Sequence, residues 1–134
     1  MDTGSKVLIV GGVLNIALSF LLGVGLARRR TASPIEASRF LLVAHEGAVL
    51  QGIMLLSLAF ALALSDLSAG WETLAAWLLV VAATMQVTAA LLNFRGGIAD
   101  QFAEKSTGLR LNQVQAVLAL AGLGIIVVGT LKGI

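Results

Sequence analysis

Cysteine and tyrosine are absent from the 134 residues, histidine and proline occur once each, and only 12% of the side chains are charged. Without cysteine there is no disulfide, no thiolate metal site and no Cys-x-x-Cys-His attachment of haem, and the redox compartment cannot be read. With one histidine and no aspartate near it in an apolar run, a Ser-His-Asp triad and a zinc site within one chain both lack members. The low charge, beside 58% hydrophobic residues and a mean hydropathy of +0.98, excludes an ordinary soluble domain, which carries about twice that charge.

What fills the chain instead is four apolar runs, each long enough to cross a hydrocarbon core of about 30 Å. They predict an all-α, polytopic membrane protein: one four-transmembrane-helix bundle over 1–134, with helices at about 7–27, 36–64, 72–94 and 110–131. The first run is too long for a signal-peptide core, ends in Arg28-Arg29-Arg30 and lacks a small-x-small cleavage site, so it is expected to remain as the first helix. Ser33, Pro34 and Glu36 read as an N-cap, a first-turn proline and an acidic first turn opening the second.

The sequence pI near 9.7 does not point to nucleic acid, because the basic residues sit in short connections beside helix ends. Arg28, Arg29, Arg30 and Arg39 flank the first connection, and Arg95, Lys105 and Arg110 the third; Lys6 and Lys132 alone lie at the other end. The positive-inside rule then predicts cytoplasmic first and third connections and both termini outside. Trp71 and Trp77 read as interfacial anchors, and the glycines Gly23 and Gly25 as points of close helix contact.

The residue that demands an explanation is His45, inside the second run and about 9 Å deeper than Arg39. An ionisable group in a membrane span is a functional hypothesis by default. A single imidazole can hold a haem iron from one side and leave the other side open. The alternative is a hydrogen bond to neighbouring backbone or to a glutamine. Glu46 follows it about 100° round the helix, with pairing to Arg39 or Arg110 as one reading and proton carriage as the other. Gln51 and Met54 share a face with Gly47, while Gln86, Asn93, Gln113 and Gln115 are either interhelical hydrogen-bond partners or pocket residues. Most of these polar residues fall toward the Arg-rich end.

The run Ala44-His45-Glu46-Gly47-Ala48-Val49-Leu50-Gln51-Gly52-Ile53-Met54 resembles the second-helix signature of the styrene oxide isomerases, roughly Ala-His-x-Gly-x-x-x-Asn-Gly-x-Met. Leu21 to Leu26, Asn93-Phe94 and Leu118 to Ala121 fall at similar positions. The resemblance implies a homotrimer of four-helix subunits in a bacterial inner membrane, binding haem b through the iron ligand His45. It further implies Lewis-acid isomerisation of a hydrophobic epoxide to a carbonyl compound, in a pocket drawn from Gln51, Met54, Gln86 and Asn93, with Gln51 as the catalytic amide. Gln51 stands where the family has asparagine, and the family's third-helix tyrosine and aspartate align with Ala89 and Val81. Haem binding therefore transfers more directly than the reaction. Three other readings remain beside it: a haem protein that carries electrons, a small proton-coupled transporter using Glu46, and a scaffold subunit. The partners expected are the lipid bilayer and a hydrophobic small molecule, with no nucleic acid.

Overall fold

A computed structural model describes residues 2–32 and 39–133. It is an all-helical bundle of α1 (Thr3–Ala32), α2 (Arg39–Ala63), α3 (Ala69–Arg95) and α4 (Thr107–Gly133). All four are long and apolar enough to cross a membrane, and the protein is an integral membrane protein on that length and composition. The expected cap at Ser33, Pro34 and Glu36 lies outside the described residues.

α1, α3 and α4 run past their apolar cores, and local hydrogen bonds hold several of the helix ends. At the start of α1, the Asp2 carboxylate accepts from the Ser5 amide (2.6 Å) and the Ser5 hydroxyl (2.7 Å), satisfying a free first-turn donor. Burial opposes the charge on Asp2, but these bonds hold its carboxyl below the ordinary carboxylate range. The Gly96-Gly97 pair is a defined stop for α3. Gly97 is left-handed (φ 64°), its amide donates to the Phe94 carbonyl (3.2 Å), and the next amide, of Ile98, donates to the Asn93 carbonyl (3.1 Å). The connection then folds back on itself: the Ser106 amide donates to the Gln101 carbonyl (3.2 Å), with Lys105 left-handed (φ 47°). The Ser106 hydroxyl caps α4 by accepting from the Leu109 amide (3.0 Å).

Packing follows the small residues. α1 and α2 run antiparallel in a register fixed by three contacts. The Ser5 hydroxyl reaches the Ala59 carbonyl (3.4 Å), Gly12 faces Gly52, and the His45 ring meets the Ser19 carbonyl (2.8 Å). Successive contacts are one heptad apart on each helix, the spacing of a left-handed antiparallel seam. On the other side, Gly108 lies over Ala89 and Gly122 over Ala75, two heptads apart on α4 and on α3. α3 is the central helix, touching the other three, while α4 leans on α3 and marginally on α2 without reaching α1.

The core is accordingly built from alanine and leucine. Leu8, Leu55, Leu62, Ala75, Leu79 and Ile126 fill the end near the termini. Ala44, Ala48, Val87 and Ala90 fill the Arg-rich end. Phe20, Leu21, Phe60 and Leu131 point outward, an arrangement that would aggregate in water and that lipid solvates. At the Arg-rich end the Arg29 guanidinium lies 4.6 Å from the centre of the Phe94 ring, fastening the end of α1 to the end of α3.

Two glycine substitutions separate seam from surface. A Cβ on Gly52 would sit 2.6 Å from Ile16 Cγ1 and 2.9 Å from the Gly12 carbonyl oxygen, whereas one on Gly124 meets nothing within 4 Å. Gly52→Ala should destabilise the bundle by about 1–3 kcal/mol, and Gly124→Ala should leave it unchanged or stabilise it by up to about 1 kcal/mol. Unfolding in mixed detergent micelles, followed by circular dichroism, measures both.

Candidate functional site

His45 is half-buried on α2, where the seam brings it against α1. Its Nδ1 lies 2.8 Å from the Ser19 carbonyl oxygen. A carbonyl can only accept, so Nδ1 carries the proton and, in the neutral ring, Nε2 keeps its lone pair. Among the described residues, Nε2 has no protein hydrogen-bond partner and is not a buried orphan. The neighbouring position on α1 is Gly23, where a Cβ would come within 3.1 Å of the ring's Cε1. The missing side chain at Gly23 is what leaves room for the imidazole against α1.

His45 borders a groove of about 300 Å³ on the outside of the bundle, shared with Glu46, Val49 and Leu50. Glu46 is exposed there, on the outer surface of α2. The polar side chains of α1 next to this contact are turned onto their own helix. The Asn15 amide donates to the Gly11 carbonyl (2.9 Å), and the Ser19 hydroxyl donates to the Ile16 carbonyl (2.6 Å). They contribute no ligand of their own to the groove.

The remaining residues proposed from the sequence separate into three places. Gln51 and Gln86 come together, the Gln51 Nε2 donating to the Gln86 Oε1 across the α2–α3 interface, next to Gly47. Met54 is exposed one turn beyond Leu50 and extends the outward surface. Asn93 is fully buried at the Arg-rich end of α3, donating to the Gln101 Oε1 (2.9 Å) under Gly108. Within one chain, then, Gln51 faces inward while His45 faces α1 and the outer groove. The helix offset between positions 45 and 51, about 120°, accounts for the split.

A second cavity, of about 290 Å³, lies between α2, α3, α4 and the connection before α4. Gln86 lines it from α3, and Asn112 and Gln115 line it from α4. The polar start of α4 is visible in the sequence, but the part played by Gln101 is not, since only the folded-back connection brings it to Asn93. Among the described residues no three histidine, aspartate or glutamate side chains converge as a metal cage. Compared with protein-family models, curated proteins and solved structures, the chain finds no match in any of the three.

The glutamine pair can be weighed by a double-mutant cycle. Either Gln51→Leu or Gln86→Leu alone strands an amide and should cost about 1–2 kcal/mol. The double variant should cost less than the sum of the two, with a coupling of about 0.5–1.5 kcal/mol. Stability in the same micellar unfolding assay gives the result, and strict additivity would show the two side chains to be independent.

Proposed function

We propose that the chain is the subunit of a haem b-dependent membrane isomerase of the styrene oxide isomerase type, acting on a hydrophobic epoxide that reaches it from the bilayer. The observation that carries this reading is the state of His45: its Nδ1 proton is committed to the Ser19 carbonyl, and its Nε2 lone pair is uncommitted beside an outward-opening groove. That is the arrangement a metal-ligating imidazole needs, because the second hydrogen bond fixes the tautomer and ring orientation and raises the basicity of the donor nitrogen. A single protein donor suits iron whose other ligands come from a porphyrin.

The chain's own residues have definite tasks in this reading. Ser19, through its backbone, and Gly23, through its missing side chain, hold the imidazole in place. Val49 and Leu50 give the groove an apolar wall, which favours a lipophilic guest, whereas Met54 lies about half a turn round α2 from His45 and outside it. When bound, ferric haem would supply Lewis acidity at an open coordination position, the chemistry that turns an epoxide into a carbonyl compound without nucleophile or proton relay. Gln51, the catalytic amide expected from the resemblance, is bonded to Gln86 on the α3 side and stands outside this groove, and Asn93 serves the Arg-rich end of α3.

Because the groove is open on its outer side, a second subunit closes it, and the homotrimer expected from the resemblance is the assembly proposed. The basic residues at the helix ends support an orientation in a bacterial inner membrane with the connections flanked by Arg28–Arg30 and Arg95 cytoplasmic and both termini outside.

The test is an absorption spectrum of protein purified from cells supplied with porphyrin precursor. Wild type should show a Soret band of ferric high-spin character that shifts when a small ligand or an epoxide is added, and His45→Ala should lose it. Gly23→Leu, which pushes the ring off the Ser19 carbonyl, should weaken haem affinity by about 10–100-fold. Colourless wild-type protein, or a band that survives in His45→Ala, overturns the proposal. A low-spin spectrum indifferent to added ligand would instead indicate a six-coordinate electron carrier.

A further inference from the structure

The cavity between α2, α3 and α4 has properties that the His45 groove does not explain. It is closed on one side by the connection before α4, through Ala99, Asp100 and Phe102, and bounded on the other by Arg39 and Phe40 of α2. Asn112, on its α4 wall, has a side-chain oxygen that is fully buried and without a hydrogen-bond partner. A buried acceptor left unpaired costs about 1–3 kcal/mol, so such an atom in a cavity wall calls for a donor.

We infer that this cavity is a second ligand site, for a small uncharged amphiphile with a hydroxyl head and a short hydrocarbon tail. Three features select that chemistry. First, a hydroxyl is donor and acceptor in one atom: it accepts from an amide N–H of Gln115 or Gln86, both of which also line the space, and a turn of the Asn112 amide, whose unpaired oxygen is covered in this conformation, lets it give its hydrogen to Oδ1. Secondly, the walls carry one residue of each charge sign, Arg39 and Asp100. A charged head of either sign therefore meets a like charge as well as an opposite one, and a neutral head is preferred. The Asp100 carboxylate is in addition already engaged by the Phe102 amide (2.9 Å). Thirdly, Phe40, Val43, Ala90 and Phe102 offer apolar surface for a tail, in a volume of about 290 Å³ that accommodates on the order of ten non-hydrogen atoms.

The reason a cavity opens here is written in the α3–α4 seam. Gly108 and Gly122 let α4 close onto α3, and Gln115 stands midway between them, one heptad from each, where no glycine permits the same approach. The site lies at the Arg-rich end, under a hydrogen-bonded connection that faces away from the hydrocarbon. Its ligand is thus admitted from the polar interface, and it functions independently of His45.

The experiment uses full-length protein in lipid nanodiscs, labelled with nitrogen-15 in asparagine and glutamine side chains, titrated with 1-hexanol. Saturable shifts of the Gln115 and Asn112 amide signals are expected, with the remote Asn15 amide unmoved. Sodium hexanoate and hexylammonium should bind at least about tenfold more weakly. Asn112→Leu, read through Gln115, should weaken hexanol binding by about tenfold, the scale of one lost hydrogen bond. Should that variant fold poorly, Ala99→Trp on the exposed connection fills the mouth of the cavity and should abolish the shifts. His45→Ala should bind 1-hexanol as wild type does, so failure of the haem reading and failure of this one are read separately. Shifts that grow linearly and equally at all amides report only partition into the bilayer and overturn the proposal, as does equal binding of the charged hexyl compounds.

Discussion

The close approach of the α1 and α2 backbones at Gly12 and Gly52 is the constraint on which the rest of the molecule depends. In lipid there is little hydrophobic gain in bringing two apolar helices together, so association rests on dispersion between closely packed surfaces and on a few hydrogen bonds. With each Cβ removed at the crossing, the two backbones come near enough for side chains one heptad away to act across the interface. Toward the termini that permits Ser5 to reach the Ala59 carbonyl; toward the Arg-rich end it permits His45 to reach the Ser19 carbonyl. The histidine is therefore oriented by the helix register rather than by a local turn.

Much of this organisation is legible in the amino-acid sequence, and the limits have a physical cause. The four spans, the clustering of arginines at one end and the singular position of His45 all follow from composition and spacing. The inward face of each helix does not follow from the pattern of apolar residues, because a lipid-solvated helix is apolar all round: Leu50 and Leu55 sit five residues apart on α2, one exposed and one fully buried. Small residues carry the signal instead, and Ala44, Ala48 and Gly52 mark the buried stripe that leucine does not.

The polar residues illustrate the same point from the other side. Gln51, Gln86 and Asn93 read from the sequence as members of one pocket, and the structure sets Gln51 against Gln86 while committing Asn93 to Gln101. Gln101 becomes Asn93's partner only because the connection turns back through the left-handed residues Gly97 and Lys105. A lysine in that conformation gives little warning in a sequence, whereas Gly97 at the end of an apolar run gives some.

His45 and the polar cavity near Asn112 occupy opposite sides of α2, and the Gln51–Gln86 bond is the polar contact that lies between them. Gln86 stands between α2 and the cavity: its side-chain oxygen is held by Gln51, and the residue also lines the cavity. A partly buried amide pair in an apolar interface has few alternative partners, so any ligand that draws one glutamine away leaves the other unpaired unless it replaces the lost bond. Occupancy of the cavity and the orientation of Gln51 are for that reason energetically linked, and the linkage is reciprocal by thermodynamic necessity. The glycine seam between α1 and α2 thus sets the histidine, while the amide pair between α2 and α3 borders the cavity, so the two places rest on separate contacts of one helix.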